Sequence, residues 1–257
     1  LIPPSIIMIV YGVSADVSIS KLFIAGVLPG VLLASLFSGY LIVWALLNRG
    51  RVPPADAPMT LGQKLHESRH LIPVVLLIAA VLGSIYSGVA TATEAAGVGV
   101  LGSLVLSAMQ GSLSWSTFKE SLLGGTRLYC MIAMILAGAS FLTLAMGYIG
   151  LPRHLAEWIG SLGLSPVGLL AVLMLFYIVL GCFLDGISMV VLTMGVILPT
   201  VQKAGIDLLW FGIFVVLVVE MAQITPPVGF NLFVLQGMTK KDIGTISRAA
   251  LPFFMLM

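Results

Sequence analysis

The 257 residues are 60% apolar and only 9% charged, with a net charge of +2. A soluble domain is about 45–50% apolar and about 25% charged, so this chain has too few charges to cover a surface in water. That excludes a secreted module and a disordered regulator, and the lack of a long basic run excludes a nucleic-acid binder.

A mean hydropathy of +1.16, with 28 glycines and 13 prolines, predicts an all-α, polytopic membrane protein, because both residues are commoner in membrane helices than in soluble ones. Cys130 and Cys182 lie in apolar stretches without disulfide or metal-ligand spacing. The chain begins at Leu1 with no charged leader and stops at Met257 inside apolar sequence. It reads as a fragment.

A hydrocarbon core about 30 Å thick needs about 20 apolar helical residues. In chain order, spans are expected over 21–47, 71–88, 93–110, 127–148, 164–184 and 208–223. Stretches 186–202 and 230–238 are shorter, and 243–257 looks truncated. Segment 48–70, with Pro53, Pro54 and Pro58 among charges, reads as an exposed connection. Segments 111–126 and 151–163 mix apolar and polar positions and are expected to be interfacial helices.

Lysines and arginines sort unevenly between the connections. Arg49, Arg51, Lys64, Arg69, Lys119, Arg127, Lys240, Lys241 and Arg248 fall on one side, and Lys21, Arg153 and Lys203 on the other. The positive-inside rule puts the first group in the cytoplasm. Residues 151–163 and 203–207 then share the outer side. The chain between them must enter the membrane and return. Its interruption at Asp185-Gly186 suits a hairpin that turns within the bilayer, with a charged turn at the cytoplasmic surface as the alternative.

The chain also repeats itself. Ile2-Pro3-Pro4-Ser5 overlays Thr225-Pro226-Pro227-Val228, and in the same ungapped register Leu28-Pro29 meets Leu251-Pro252. The assigned topology makes the copies run in opposite directions, as in secondary transporters, whose sites lie where such repeats meet. Two successive prolines force a helix open. In lipid the freed carbonyls need partners, and a small hard cation supplies one. Thr225 and Asn231 add side-chain oxygens, and Gly229 permits an unusual backbone angle. A proline kink that serves packing alone is the plainer alternative.

Ile224-Thr225-Pro226-Pro227-Val228-Gly229-Phe230-Asn231-Leu232-Phe233-Val234 closely resembles a signature of the large membrane subunit of TRAP (tripartite ATP-independent periplasmic) transporters, the DctM-like family. Ile2-Pro3-Pro4-Ser5-Ile6 looks like the matching break of the family's first repeat. Thr91-Ala92-Thr93-Glu94-Ala95-Ala96 is similar to its Thr-Pro-Thr-Glu-Ala motif, with Ala92 in place of the proline. Phe183-Leu184-Asp185-Gly186 resembles the tip of its second hairpin.

The resemblance implies an elevator-type, inverted-repeat transporter with re-entrant hairpins and broken helices, here with a partial first repeat and a complete second one. It implies a multi-pass subunit of the bacterial or archaeal inner membrane. The partners it implies are a small membrane subunit and a periplasmic binding protein, which delivers an organic acid anion such as a dicarboxylate or a sialic-acid-like compound. Sodium ions are the implied coupling ions, with no other cofactor.

On this resemblance, residues 1–20 end the first repeat and 21–70 form a scaffold helix and connection. Residues 71–163 form scaffold and interfacial helices, 164–238 the transport-domain hairpin and broken helix, and 239–257 a truncated terminal helix. Asp185, Gly186, Ser188, Thr225, Pro226, Pro227, Gly229 and Asn231 are expected to hold sodium and part of the substrate surface. Pro3, Pro4 and Ser5 border a second sodium site.

Three acids fall inside spans, and intramembrane acids are functional hypotheses by default. Asp185 caps a helix, alone or while also shaping the ion site. Glu220 is protonated, hydrogen-bonded to a neighbouring helix, or a direct ligand. Glu94 starts a helix or serves the family motif. The competing functions are an intramembrane enzyme, which needs two facing carboxylates that share a proton, and a structural subunit without a transport site. There is no His-Glu-x-x-His run, so a zinc protease has no support.

Overall fold

The computed structural model describes residues 2–52, 60, 62–63, 68–181, 183–226 and 229–257. Among these residues there are eleven α-helices and no strand: α1 (Ile6–Ala15), α2 (Ile19–Leu47), α3 (Ile72–Tyr86), α4 (Ala92–Met109), α5 (Trp115–Ile149), α6 (Leu151–Ser161), α7 (Pro166–Gly181), α8 (Gly186–Lys203), α9 (Leu208–Gln223), α10 (Phe230–Thr239) and α11 (Ile243–Leu256). Helices α2, α4, α5 and α8 are each long and apolar enough to cross a bilayer. The chain divides into two units, Ser38–Arg127 and the remainder, Leu1–Phe37 with Leu128–Met257.

One expected boundary is absent. Residues 115–126 are not a separate interfacial helix but the first turns of α5, which runs unbroken for 35 residues. Gly124-Gly125 is tolerated because glycine weakens a helix without removing a backbone donor, as proline would. At 1.5 Å per residue α5 is about 52 Å long, longer than a hydrocarbon core. Trp115, at its start, is exposed, as an interfacial aromatic is. Segment 151–163 does form a helix of its own, α6, set off by Gly150 at φ +77°.

In the unit formed by residues 38–127, α3 packs against α4. The approach is close at Gly102, where a Cβ would strike the Leu77 side chain, as expected of small residues between membrane helices.

In the other unit, α1, α7, α8 and α9 form the core. Tyr11, Tyr177, Met189, Val190, Phe211 and Val215 are fully buried there. Helix α1 packs on α8 and α9, and α7 packs on α9. The arms of the α7–α8 hairpin are joined by the buried pair Tyr177 Oη and Thr193 Oγ1, 2.7 Å apart. Helices α1 and α9 run antiparallel. Tyr11 near the end of α1 donates its hydroxyl to the Leu208 carbonyl at the start of α9, at 2.7 Å. Ile7, near the start of α1, lies instead by the hairpin tip, which meets the other end of α9.

Helix α6 packs on α8. Arg153 Nε donates to Glu157 Oε1 at 3.0 Å and, with help from Lys203, holds that carboxyl below its usual range. Arg153 and Lys203 therefore lie on one side of the unit, as the charge count requires.

The repeat is visible as geometry. Each proline-containing segment leads into a ten-residue helix, α1 or α10. Each of these ends on a left-handed residue, Asp16 (φ 52°) or Lys240 (φ 54°). A short link follows, then a helix with an internal proline, Pro29 in α2 and Pro252 in α11. Ile6 pairs with Phe230 and Ala15 with Thr239, an offset of 224. The sequence register of the prolines is 223. The second break thus holds one more residue ahead of its helix than the first.

Candidate functional site

Helix α8 begins where the chain leaves α7 through Phe183, Leu184 and Asp185. Asp185 is extended, and its Oδ2 accepts from the N–H groups of Ile187 (3.1 Å) and Ser188 (3.2 Å). This is N-capping: a carboxylate satisfies two donors that have no partner inside the helix. Ser188 and Asp185 are half-buried, and Gly186 is buried.

Gly186 is the point of closest approach. A Cβ there would run into Gln223 Nε2, lie 2.8 Å from Val219 Cγ1 and 3.3 Å from Ile7 Cδ1. Five residues before the tip, Gly181 lies just as tightly against Ala222. Only residues without a side chain let the hairpin tip press on the last turn of α9. The tip therefore meets α9 about 17–23 Å from its start, at 1.5 Å per residue. The tip, the end of α9 and the start of α1 converge at one place.

The chain opens immediately after Gln223. Thr225 N donates to Ala222 O at 3.1 Å, a tightened turn. The Thr225 hydroxyl donates back to Met221 O at 2.7 Å. Gly229 N then reaches over the break to Thr225 O at 3.0 Å. The break is thus more fully bonded than proline chemistry alone predicts. The Gln223 carbonyl lacks the usual i+4 donor, because the residue four positions on is Pro227 and has no N–H. Both the Gln223 and Thr225 carbonyls face Gly229: a Cβ there would lie 2.6 Å from one oxygen and 2.8 Å from the other. Gly229 is buried, Asn231 is half-buried in the first turn of α10, and Pro226 is exposed. Pro227 lies outside the described residues.

On the first-repeat side, Pro3 is buried, Pro4 is exposed and Ser5 is half-buried. Ser5 caps α1, its Oγ accepting from Met8 N at 3.4 Å. The break therefore carries oxygens of the kind a small hard cation takes, two converging carbonyls and the Thr225 hydroxyl, while the Asp185 carboxylate belongs to the hairpin tip, where it caps α8.

Two of the acids belong elsewhere. Glu220 is one position round α9 from Val219 and lines, with Ile224, an apolar cavity of about 520 Å³ walled by Leu33, Phe37, Leu235 and Phe253. The side chains that meet the tip at Gly186 are those of Gln223, Val219 and Ile7, and Glu220 is not among these nearest neighbours. Glu94, in the other unit, forms a capping box with Thr91. Its Oε2 accepts from Thr91 N (2.7 Å) and Thr91 Oγ1 (2.8 Å), so both of its partners are accounted for by the helix start.

Sequence reasoning did not single out Gln223, whose amide is the atom nearest Gly186. The signal was present, since a lone amide in an apolar helix end, two residues before Thr225, is itself unusual in a membrane. Tyr11 and Tyr177 were equally silent, because a tyrosine in a span reads as packing until its hydroxyl partner is known.

The whole chain, residues 1–257, matches the family described as "Tripartite ATP-independent periplasmic transporter, DctM component". It is 35% identical to the C4-dicarboxylate TRAP transporter large permease protein DctM of Pseudomonas aeruginosa, over all of this chain and 60% of that protein. It is 33% identical to the ectoine/5-hydroxyectoine TRAP transporter large permease protein UehC of Ruegeria pomeroyi, again over all of this chain and 60% of the relative. It is 30% identical to the isethionate TRAP transporter permease protein DctMQ of Oleidesulfovibrio alaskensis, of which it covers 40%. The chain thus spans about 60% or less of these relatives.

Proposed function

Because this chain belongs to the DctM component family of tripartite ATP-independent periplasmic transporters, a family of transporters and not of enzymes, we propose that it forms the core of a sodium-coupled importer of an organic acid anion. It is a multi-pass protein of the inner membrane. In the full-length protein it works with a small membrane subunit and with a periplasmic binding protein that delivers the anion.

The observation that carries this reading is the convergence at Gly186. A hairpin tip and the starts or ends of two proline-broken helices, drawn from opposite ends of the sequence, are pressed together there. Asp185, Thr225, Gly229 and Asn231, with the Gln223 carbonyl, form the sodium-binding and substrate-facing surface of the second repeat. Pro3, Pro4 and Ser5 border its counterpart. The α7–α8 hairpin is re-entrant. In support, its tip reaches about 17–23 Å along α9, short of a hydrocarbon core of about 30 Å.

A structural subunit would not need oxygen-rich breaks. An aspartyl protease would need a second carboxylate beside Asp185, and Glu220 is not among the nearest neighbours of the tip at Gly186. Residues 164–238 move as the transport part of an elevator, against scaffold helices drawn from 21–70 and 71–163. The relatives' named substrates differ, so the anion is proposed only as a class. The test is uptake by the full-length protein with its partners in proteoliposomes. Uptake that follows an inward sodium gradient supports the reading, and uptake indifferent to sodium overturns it.

A further inference from the structure

One residue belongs to both halves of the junction. Gln223 is the last residue of α9. Its carbonyl, which lacks the usual i+4 donor, faces Gly229 together with that of Thr225. Its side chain lies against the hairpin tip, where Nε2 is the atom nearest a Cβ placed on Gly186. The break therefore takes the main-chain oxygen of Gln223, and the tip meets its side chain.

That side chain is chemically idle. Gln223 is half-buried, and its amide makes no hydrogen bond to another described residue. An amide held among apolar helices without a partner is costly. Other polar side chains of the junction are engaged: Ser5 Oγ accepts from Met8 N, and the Thr225 hydroxyl donates to Met221 O.

The tip offers one matching acceptor. A carboxylate has two oxygens, each able to accept. Asp185 uses Oδ2 for both cap bonds, from Ile187 N and Ser188 N, and its Oδ1 has no partner among the described residues. Asp185 directly precedes Gly186, against which the Gln223 nitrogen lies. The other side chains nearest Gly186, those of Val219 and Ile7, are apolar and offer the amide nothing. The last torsion of a glutamine is broad, so the amide can turn.

We propose that Gln223 is a positioning residue that ties the hairpin tip to the ion. With the tip fully seated, the Gln223 amide donates to Asp185 Oδ1 while the Gln223 carbonyl offers its oxygen to sodium. Seating the tip holds that carbonyl in place, and filling the site holds the tip down. This rests on the sodium reading above and adds that the two events share one residue.

The test exchanges the two groups in the full-length protein with its partners. Gln223→Met keeps the length of the side chain and loses the donor, and Gln223→Glu sets a second carboxylate against Asp185. Gln223→Glu combined with Asp185→Asn restores one amide and one carboxylate in reversed order, and the amide oxygen at 185 can still cap α8. The sodium concentration for half-maximal uptake should rise about tenfold in Gln223→Met, as loss of a hydrogen bond to a charged group predicts. It should rise further in Gln223→Glu and return most of the way to wild type in the exchanged pair. The maximal rate at saturating sodium should hold in Gln223→Met, because only the loaded arrangement has been weakened.

A second readout does not pass through transport. Hydrogen exchange of the peptide over 183–190 should quicken in Gln223→Met and slow again in the exchanged pair. Wild-type sodium dependence and wild-type exchange in Gln223→Met protein that melts normally would overturn the proposal. So would a folded exchanged pair that behaves as the sum of its two single substitutions. Uptake indifferent to sodium in the wild type would instead sink the proposed function, and exchange over 183–190 would still report whether the amide holds the tip.

Discussion

Replacing Gly186 by alanine is the sharpest perturbation of the junction. The new methyl would meet Gln223 Nε2 and Val219 Cγ1, the latter at 2.8 Å. The Gln223 amide ends a flexible side chain and can swing aside. Val219 is β-branched and stiff, so the tip itself must retreat from α9. Overpacking of this kind costs about 1–3 kcal/mol. If that cost falls on the arrangement that binds sodium, and about 1.4 kcal/mol is tenfold, the sodium concentration for half-maximal uptake should rise roughly 5- to 150-fold. The assay is initial-rate uptake in proteoliposomes of the full-length protein with its partners, across a sodium titration, with thermal melting to confirm folding. Val219→Ala in the same chain should restore most of the response, because it removes the obstructing methyl. A folded Gly186→Ala protein with unchanged sodium dependence would refute the idea that the tip must seat on α9 for the site to form.

Other changes separate scaffold from site. Thr225→Ala or Asn231→Ala should raise the half-maximal sodium concentration, read in the same titration; wild-type dependence in both would remove these residues from the site. Tyr177→Phe should lower stability by only about 1 kcal/mol, measured by denaturation in detergent, because the Thr193 hydroxyl keeps its bond to Met189 O at 2.8 Å. A loss above about 3 kcal/mol would show that the pair is not merely a staple between the hairpin arms. Glu94→Ala should cost about 1 kcal/mol through loss of a cap and leave sodium dependence unchanged. A large shift in sodium dependence would restore a functional role to the Thr91–Glu94 motif. Single cysteines at 153 and 203 should react with an impermeant maleimide added outside intact cells, and cysteines at 119 and 240 should not. The reverse pattern would invert the topology.

Much of this was legible because proline, glycine and charge act locally. Pro226-Pro227 and Pro3-Pro4 announce breaks wherever they occur in apolar sequence, and Asp185-Gly186 announces a helix start. Arg153 and Lys203 sorted together by charge count, and Lys203 lies close enough to act on Glu157. The rest depended on packing. Nothing in 111–126 says that Gly124-Gly125 stays helical, because glycine permits both outcomes. The bonding across the second break depends on Gly229 folding back to Thr225, which the residue types allow but do not dictate. Glu220 and Val219 are neighbours in sequence, yet one faces a cavity and the other the hairpin tip. Only the rotation of α9 against α7 and α8 decides which.

The central claim is that the hairpin tip and the break after Gln223 together make a sodium site. Equilibrium binding of radioactive sodium to the purified full-length protein tests it without reference to substrate or partners. The account predicts saturable binding that loses one ion per protein when Thr225 and Asn231 are both replaced by alanine. Unchanged stoichiometry and affinity in that folded double variant would contradict it.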